Sequence, residues 1–125
     1  MLPMKSILGN SRKPDIVFKK SGIIEITAHL AKLLNMNQGD AIDLLSDDGE
    51  IYIFVKHRNP IGRYPAMVYR SNKHGNHFRT WSTRLSSEIL NICGVSDIAR
   101  LAVGEPIYNF QDIDIALPLI TRRIL

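Results

Sequence analysis

The segment Ser21–Asp40, SGIIEITAHLAKLLNMNQGD, decides the fold. Residues 23–27 are rich in β-branched and apolar side chains, which favours a strand that follows a glycine turn. The threonine that ends this strand is suited to cap a helix, because its hydroxyl accepts a hydrogen bond from an unpaired amide of the first turn. Leu30, Leu33 and Leu34 then fall on one helical face. The segment predicts a strand, a short helix and a turn rich in Asn and Gly.

Strands extend from this segment in both directions along the chain. Apolar and β-branched runs predict strands over 16–20, 23–27, 41–45 and 50–56, around a helix over 28–35 and an acidic hairpin turn over 46–49. Both faces of the strand over 51–55 are largely apolar, which is typical of a strand covered on both sides, in a closed barrel or at a subunit interface. The first half of the chain is therefore predicted to form a strand–helix–hairpin unit.

The second half of the chain repeats this order of elements. Leu85 takes the place of Leu30, and Asp97 takes the place of Asp40. Predicted strands cover 66–70, 77–82, 98–103, 107–110 and 115–121. A helix capped by Ser82 or Thr83 is predicted to end at Gly94 in a left-handed conformation. The order of the matches predicts an internal duplication, with convergent patterning as the alternative. Pro118, which has no amide proton for a ladder, predicts an edge strand or a bulge.

These elements predict an all-β fold with two short helices. One unit exposes too much apolar surface to be stable alone, whereas two units can close into a small β-barrel with pseudo-twofold symmetry, of swapped-hairpin or double-psi type. The predicted organisation is a single domain over 1–125, with a first half over 16–56, a basic connector and turn over 57–76 and a second half over 77–124. The hairpin turn at Gly49 corresponds in this alignment to one at Gly104. We expect a monomeric pseudo-dimer or a homodimer.

Three stretches of the first half carry a family resemblance. SGIIEIT at 21–27 and LLNMNQGD at 33–40, followed by EIYI at 50–53, resemble the AbrB/SpoVT-type swapped-hairpin barrel family of bacterial transition-state regulators and MazE-type antitoxins. The family pattern is a glycine turn, an apolar strand, a short capped helix with a leucine pair, a GD turn and a β-hairpin. The resemblance covers 16–56 directly and 77–121 through the internal repeat. It implies two intertwined copies of the unit and DNA bound on a basic face.

The chain departs from the family pattern at positions near the expected DNA face. Ile23 stands where the family commonly has an arginine after the turn glycine, and Thr27 stands where it commonly has proline. In the helix, Ala31 and then Lys32 stand where the family commonly has one or two basic residues. The apolar pattern that implies the fold is kept. Among the DNA-facing positions of the family, only Lys32 carries over directly.

Positive charge is concentrated in the middle of the chain. The 125 residues include 16 Lys and Arg against 12 Asp and Glu, which gives a net charge of +4. No acid lies between Ile51 and Ser87. Such a segment favours a footprint for a polyanion, and the alternative is a solvated loop that keeps the protein in solution. The predicted nucleic-acid contacts are Arg12, Lys13, Lys19, Lys20, Lys32, Arg58, Arg63, Arg70, Lys73, Arg79 and Arg84.

Aromatic residues alternate with cations in the same segment. Exposed rings stack on bases, but large aromatic side chains in a short β domain are more often part of the core. Along the strand over 77–82, alternation places Phe78 and Thr80 on one face and Arg79 and Trp81 on the other. We expect Phe78 and Trp81 to be core residues.

The sequence carries no pattern that is specific for catalysis or metal binding. Cys93 is the one cysteine, and its place at the end of a predicted helix is typical of a small buried residue. His74 and His77 have HxxH spacing, but a zinc site needs three or four protein ligands. Nucleophile-elbow, P-loop and dinucleotide motifs do not occur. We expect no enzymatic activity, no cofactor and no metal.

The sequence thus predicts a DNA-binding regulator or antitoxin-like protein whose partner is double-stranded DNA. The alternative is a non-enzymatic protein-interaction or structural module, for example of a phage or mobile element, that kept the barrel and lost DNA binding. The departure at Ile23 motivates this alternative. The apolar runs are too short to cross a membrane, and residues 1–5 lack the apolar core of a signal peptide, so we expect a cytoplasmic location.

Overall fold

The computed structural model describes residues 14–57, 66–71 and 77–121. The described residues form nine strands and two helices, which confirms the all-β class with two short helices. The strands are β1 (Ile16–Lys19), β2 (Ile23–Ile26), β3 (Ala41–Asp47), β4 (Glu50–Lys56), β5 (Tyr69–Arg70), β6 (Phe78–Trp81), β7 (Ile98–Val103), β8 (Ile107–Phe110) and β9 (Ile113–Ile120). The helices are α1 (Ala28–Leu33) and α2 (Thr83–Cys93).

The strands form one antiparallel sheet that curls into a small barrel. Their order is β3-β4-β9-β7-β1-β2-β6-β5, and β8 pairs with β9 outside this path. The two ends of the sheet meet through backbone hydrogen bonds. The amide of Val68 donates to the carbonyl of Asp40 at 2.7 Å, and the amide of Ile42 donates to the carbonyl of Ala66 at 3.1 Å. Ala41 and Met67 form a bridge at the same place. These contacts join the two ends of the sheet at residues 39–42 and 66–68.

One hydrophobic core fills the barrel and receives side chains from both halves of the chain. Phe18, Ile24, Leu30, Ile53 and Ile89 are fully buried in it. Burial of each such side chain stabilises the fold by about 1.5–3 kcal/mol. The core therefore joins β1, β2, β4 and both helices into one packed unit.

Both helices begin in the same way. The hydroxyl of Thr27 accepts a hydrogen bond from the amide of Leu30 at 3.3 Å, and that of Ser82 accepts one from the amide of Leu85 at 3.2 Å. The helices differ in length, with 6 residues in α1 and 11 in α2. α2 ends at Gly94, whose φ of 69° is the left-handed conformation predicted there.

The two halves differ in how their last strands pair. β3 and β4 form a hairpin with a register from Ala41↔Lys56 to Asp47↔Glu50. β7 does not form the matching hairpin with β8 in the described residues, because β8 turns back onto β9. β9 instead lies between β4 and β7 and pairs with both. The turn at Gly104 is thus not equivalent in strand pairing to the turn at Gly49.

Pro118 lies inside the sheet, so the expectation of an edge strand is wrong. β9 pairs with β4 at Pro118 through Tyr52. On its other side, β9 pairs with β8 as far as Ala116 of β9, and with β7 from Leu119 of β9 onward. Pro118 falls at this change, where the ladder is already interrupted and an amide donor is not required.

Candidate nucleic-acid interface

Two grooves on the outside of the barrel meet at Arg70. One, of about 880 Å³, follows β5 and β6 and is lined by Tyr69, Arg79 and Trp81 among others. The other, of about 530 Å³, lies between α1 and β5 and is lined by Lys32. Arg70 lines both grooves, and no Asp or Glu is among the described residues that line either of them. We call Lys32, Tyr69, Arg70, Arg79 and Trp81 together the Arg70 surface.

The alternation of β6 positions half of this surface. Phe78 and Thr80 are buried, whereas Arg79 and Trp81 are exposed, as the strand period predicts. The hydroxyl of Thr80 donates to the carbonyl of Met67 at 2.7 Å, which ties β6 to the segment that closes the barrel. The inward residues thus fix the strand while the outward residues face solvent.

Trp81 is exposed, so the expectation that it belongs to the core is wrong, whereas Phe78 is buried as expected. The side chain of Trp81 is 61% exposed, because its place in β6 turns it outward. Its indole Nε1 donates to the carbonyl of Ser21 at 3.0 Å. The pyrrole part of the ring rests against Gly22, where an added Cβ would lie 2.9 Å from Nε1. The ring is therefore held in place although it faces water.

Tyr69 lies beside Trp81 on the same outer face. It is 55% exposed and stands opposite Arg79 in the register of β5 and β6. Trp81 is two residues further along β6, which is the diagonal position relative to Tyr69. Diagonal neighbours on one face of an antiparallel pair are about 7–8 Å apart. Tyr69, Arg79 and Trp81 therefore share the outer face of β5 and β6 and line one groove.

Two of the predicted cations share one carboxylate on β2. Arg79 contacts Glu25 at 3.0 Å and Lys19 contacts it at 3.2 Å. Partial burial raises the pKa of Glu25, but the hydrogen bonds and charges of Arg79 and Lys19 outweigh this and hold its pKa below the ordinary value. Glu25 therefore stays ionised near neutral pH and partly neutralises both cations.

Arg70 and Lys32 differ from this pair. Both side chains are exposed, and no ion pair joins either of them to a carboxylate within the described part of the chain. Lys32 lies in the last turn of α1, where the helix dipole favours a positive charge. These two side chains carry the unneutralised positive charge of the Arg70 surface.

The remaining predicted cations do not join the Arg70 surface. Lys20 is exposed at the turn between β1 and β2, next to the backbone of Asp97. Arg84 lies on α2 and lines a third groove, of about 560 Å³, between α2 and the β3–β4 hairpin, which we call the α2 groove. The α2 groove is also lined by the charged residues Asp43, Lys56 and Glu88, and more than half of its described lining residues are apolar. The predicted contacts Arg12, Lys13, Arg58, Arg63 and Lys73 lie outside the described residues.

Two exposed basic side chains, His29 and Arg100, were not among the predicted contacts. His29 is exposed and lines the groove between α1 and β5. Arg100 is exposed on β7 between buried Ala99 and Leu101, and pairs with Val17 of β1. The signal for Arg100 was present in the sequence, because the alternation of β7 turns it to the outer face of the sheet.

Asp40 and two histidines make contacts within the fold. The buried carboxylate of Asp40 accepts a hydrogen bond from the amide of Asn37 at 2.8 Å and contacts His57 at 3.2 Å. His77 accepts from the amide of Ala28 at 3.3 Å, and His74 lies outside the described residues. Within the described ranges, no three His, Cys, Asp or Glu side chains are placed to hold a metal ion. No helix in that part of the chain is long and apolar enough to span a membrane.

Comparisons with known proteins add no further assignment. No protein-family model, curated protein or solved structure matches this chain.

Proposed function

We propose that this protein binds DNA through the Arg70 surface and acts as a transcriptional regulator or an antitoxin-like protein. The observation that carries the proposal is the position of Arg70, which joins two grooves whose described lining residues include cations and no carboxylate. A groove lined by one sign of charge concentrates the opposite charge near it. DNA is the abundant polyanion whose phosphates such a groove attracts.

The residue types on this surface suit phosphate contacts. The guanidinium of Arg70 is planar, always charged and able to hold a phosphate or a guanine edge with two hydrogen bonds. Lys32 supplies a second point charge across the groove between α1 and β5. Lys32 is also the position that the family resemblance implies as DNA-facing. Structure and resemblance therefore support the same side of the barrel.

Arg79 and Lys19 have a smaller part in this proposal. Glu25 already holds both side chains at 3.0 Å and 3.2 Å, so a phosphate must compete with a carboxylate for them. Their net contribution to attraction is correspondingly reduced. The proposal therefore assigns the largest share of phosphate binding to Arg70 and Lys32.

The test compares Arg70→Glu with Arg84→Glu by fluorescence anisotropy on a random-sequence duplex. Each substitution lowers the net charge from +4 to +2, so the two variants are matched in total charge. We expect Arg70→Glu to weaken binding about tenfold at about 50 mM salt and to reduce the log–log salt slope by about 1. Arg84→Glu is expected to change the affinity less than about threefold. Far-UV circular dichroism checks that both variants are folded.

Two outcomes contradict the proposal. An equal loss of affinity in both variants would mean that only net charge matters and that the Arg70 surface is not the site. Absence of duplex and single-strand binding by the unmodified protein at about 50 mM salt would remove the DNA-binding function itself. The protein-interaction module would then be the better hypothesis.

A further inference from the structure

We propose that Trp81 and Tyr69 form a stacking platform for unpaired bases, so that the Arg70 surface prefers DNA with exposed bases over fully paired duplex. This inference rests on the proposed function and specifies the form of DNA that the site takes. It is carried by two exposed aromatic rings on one face of β5 and β6, in a groove that Arg79 also lines.

The two rings are exposed in one groove. Single exposed apolar side chains are ordinary, whereas apolar surface that is exposed together favours a binding site. Trp81 is 61% exposed and Tyr69 is 55% exposed, although each ring has a large apolar area to remove from water. A flat ligand that covers both rings would recover that burial.

The Trp81 ring is organised before any ligand arrives. Its Nε1 is held by the carbonyl of Ser21 at 3.0 Å, and its pyrrole part lies against Gly22. A ring that is already fixed loses little conformational entropy when a ligand stacks on it. The local structure therefore favours stacking over a loose hydrophobic contact.

The chemistry of the groove favours a nucleobase over other flat ligands. Arg70 and Arg79 line the same groove as the two rings, and no described lining residue carries a carboxylate or a carboxamide. A base needs a π-face, and its phosphate needs a cation, which is the combination found in proteins that bind single strands.

The platform is of little use to a fully paired duplex. In a duplex each base is covered on both faces by its neighbours, so an aromatic side chain reaches it only by unstacking, which costs a few kcal/mol per step. In a single strand the base faces are free. Stacking on Trp81 and Tyr69 therefore adds affinity for unpaired DNA without changing the phosphate contacts of Arg70.

The experiment uses intrinsic fluorescence, because Trp81 is the one tryptophan of the chain. An oligothymidylate of about 12 nucleotides and a duplex of the same length are titrated into the full chain at equal salt. We expect the single strand to bind more tightly and to quench the Trp81 emission, while the duplex leaves the emission nearly unchanged. Anisotropy of labelled DNA gives both affinities independently.

Variants separate stacking from charge. Loss of one stacked base weakens single-strand binding about 5- to 150-fold, which is the expectation for Trp81→Ala. Trp81→Phe keeps a ring and is expected to stay within about tenfold of the unmodified protein. The Tyr69 side chain makes no hydrogen bond to another described residue, so Tyr69→Ala carries the test if Trp81→Ala does not fold. For the two alanine variants, the fold-loss of single-strand affinity is expected to exceed the fold-loss of duplex affinity.

The outcomes distinguish this inference from the proposed function. Duplex binding that equals or exceeds single-strand binding, with unchanged Trp81 emission, overturns the platform and leaves the DNA-binding proposal intact. Single-strand binding that survives in folded Trp81→Ala and Tyr69→Ala variants also overturns it. Absence of binding by either form of DNA overturns both proposals.

Discussion

The two helices of this protein start alike but border different surfaces. Thr27 and Ser82 each accept a hydrogen bond from the leucine three residues later. α1 then borders β5 in a groove that contains Lys32 and Arg70, whereas α2 borders the α2 groove, more than half of whose described lining residues are apolar. Similar local sequence produces similar helix starts, while residues outside the caps decide what each helix borders.

The strands that lead into the helices show where the two halves differ. In the first half, buried Ile26 directly precedes the cap at Thr27. In the second half, Thr80 is the last buried residue, and Trp81 stands between it and the cap at Ser82. One additional outward residue therefore places an exposed aromatic ring in the second half where the first half has none.

The turn that supports this ring gives the largest expected effect on stability. Gly22 has a φ of 103°, and a Cβ there would lie 2.9 Å from Nε1 of Trp81. Gly22→Ala is expected to lower the free energy of unfolding by about 2 kcal/mol or more, because backbone strain and displacement of the indole add together. Denaturant-induced unfolding measures the change.

Gly49 provides the control for this substitution. Its φ of 82° is also left-handed, but nothing lies within 4 Å of an added Cβ. Gly49→Ala should therefore cost only the backbone term, about 1 kcal/mol. Equal costs at the two glycines would show that the indole does not rest on Gly22.

Substitutions at the two helix caps are expected to have a smaller effect on the free energy of unfolding. Ser82→Ala removes one cap bond and is expected to lower the free energy of unfolding by about 1 kcal/mol. Thr27→Ala should cost more, up to about 2 kcal/mol, because the Thr27 hydroxyl also donates to the carbonyl of Asp15 at 3.1 Å. Thermal or chemical unfolding of both variants checks the order, and a larger cost for Ser82→Ala would contradict it.

Glu25→Gln tests the neutralisation of cations next to the Arg70 surface. The substitution releases Arg79 and Lys19 from an ionised partner, so DNA affinity is expected to rise about two- to fivefold with a steeper salt dependence. Asp43 provides the control, because it is an ion-paired carboxylate on the β3–β4 hairpin, 2.9 Å from Lys56. Asp43→Asn makes the same change of charge and should raise the affinity less. Anisotropy titrations compare the two variants.

The pH dependence of stability provides the smallest effect in this series. The pKa of Glu25 is lower in the folded protein than its ordinary value of 4.5, so the folded state favours the ionised carboxylate. The contribution of the ionised Glu25 carboxylate to the free energy of unfolding is complete above pH 4.5. It is lost as the pH falls through the lower pKa of the folded state. We expect the stability advantage over Glu25→Gln to be less than about 1 kcal/mol, since the pair is partly exposed. An advantage that grows on acidification would contradict this sign.

Local patterns predict most of the fold. The caps at Thr27 and Ser82, the left-handed Gly94 and the alternation of β6 all follow from interactions between residues close in sequence, and the structure confirms each of them. The curled sheet follows from the need to cover a strand that is apolar on both faces, such as β4. The local sequence is sufficient to predict these features, because few other local conformations satisfy the same hydrogen bonds and the same burial of apolar side chains.

Features that depend on distant partners were not predicted. The orientation of the exposed Trp81 ring depends on Gly22 and Ser21, which lie about sixty residues earlier in the chain. The interior position of Pro118 depends on the exchange of β8 for β7 beside β9. Arg70 and Lys32 were predicted as separate cations, and only the tertiary fold brings them to one groove.

The most direct test of the difference between the two helices is a backbone amide shift titration of the nitrogen-labelled protein with DNA. We expect the largest amide shift changes on the Arg70 surface, at Lys32, Tyr69, Arg70, Arg79 and Trp81. We expect little shift change between residues 84 and 92 of α2. Largest changes along the α2 groove, with the Arg70 surface unmoved, would contradict the account.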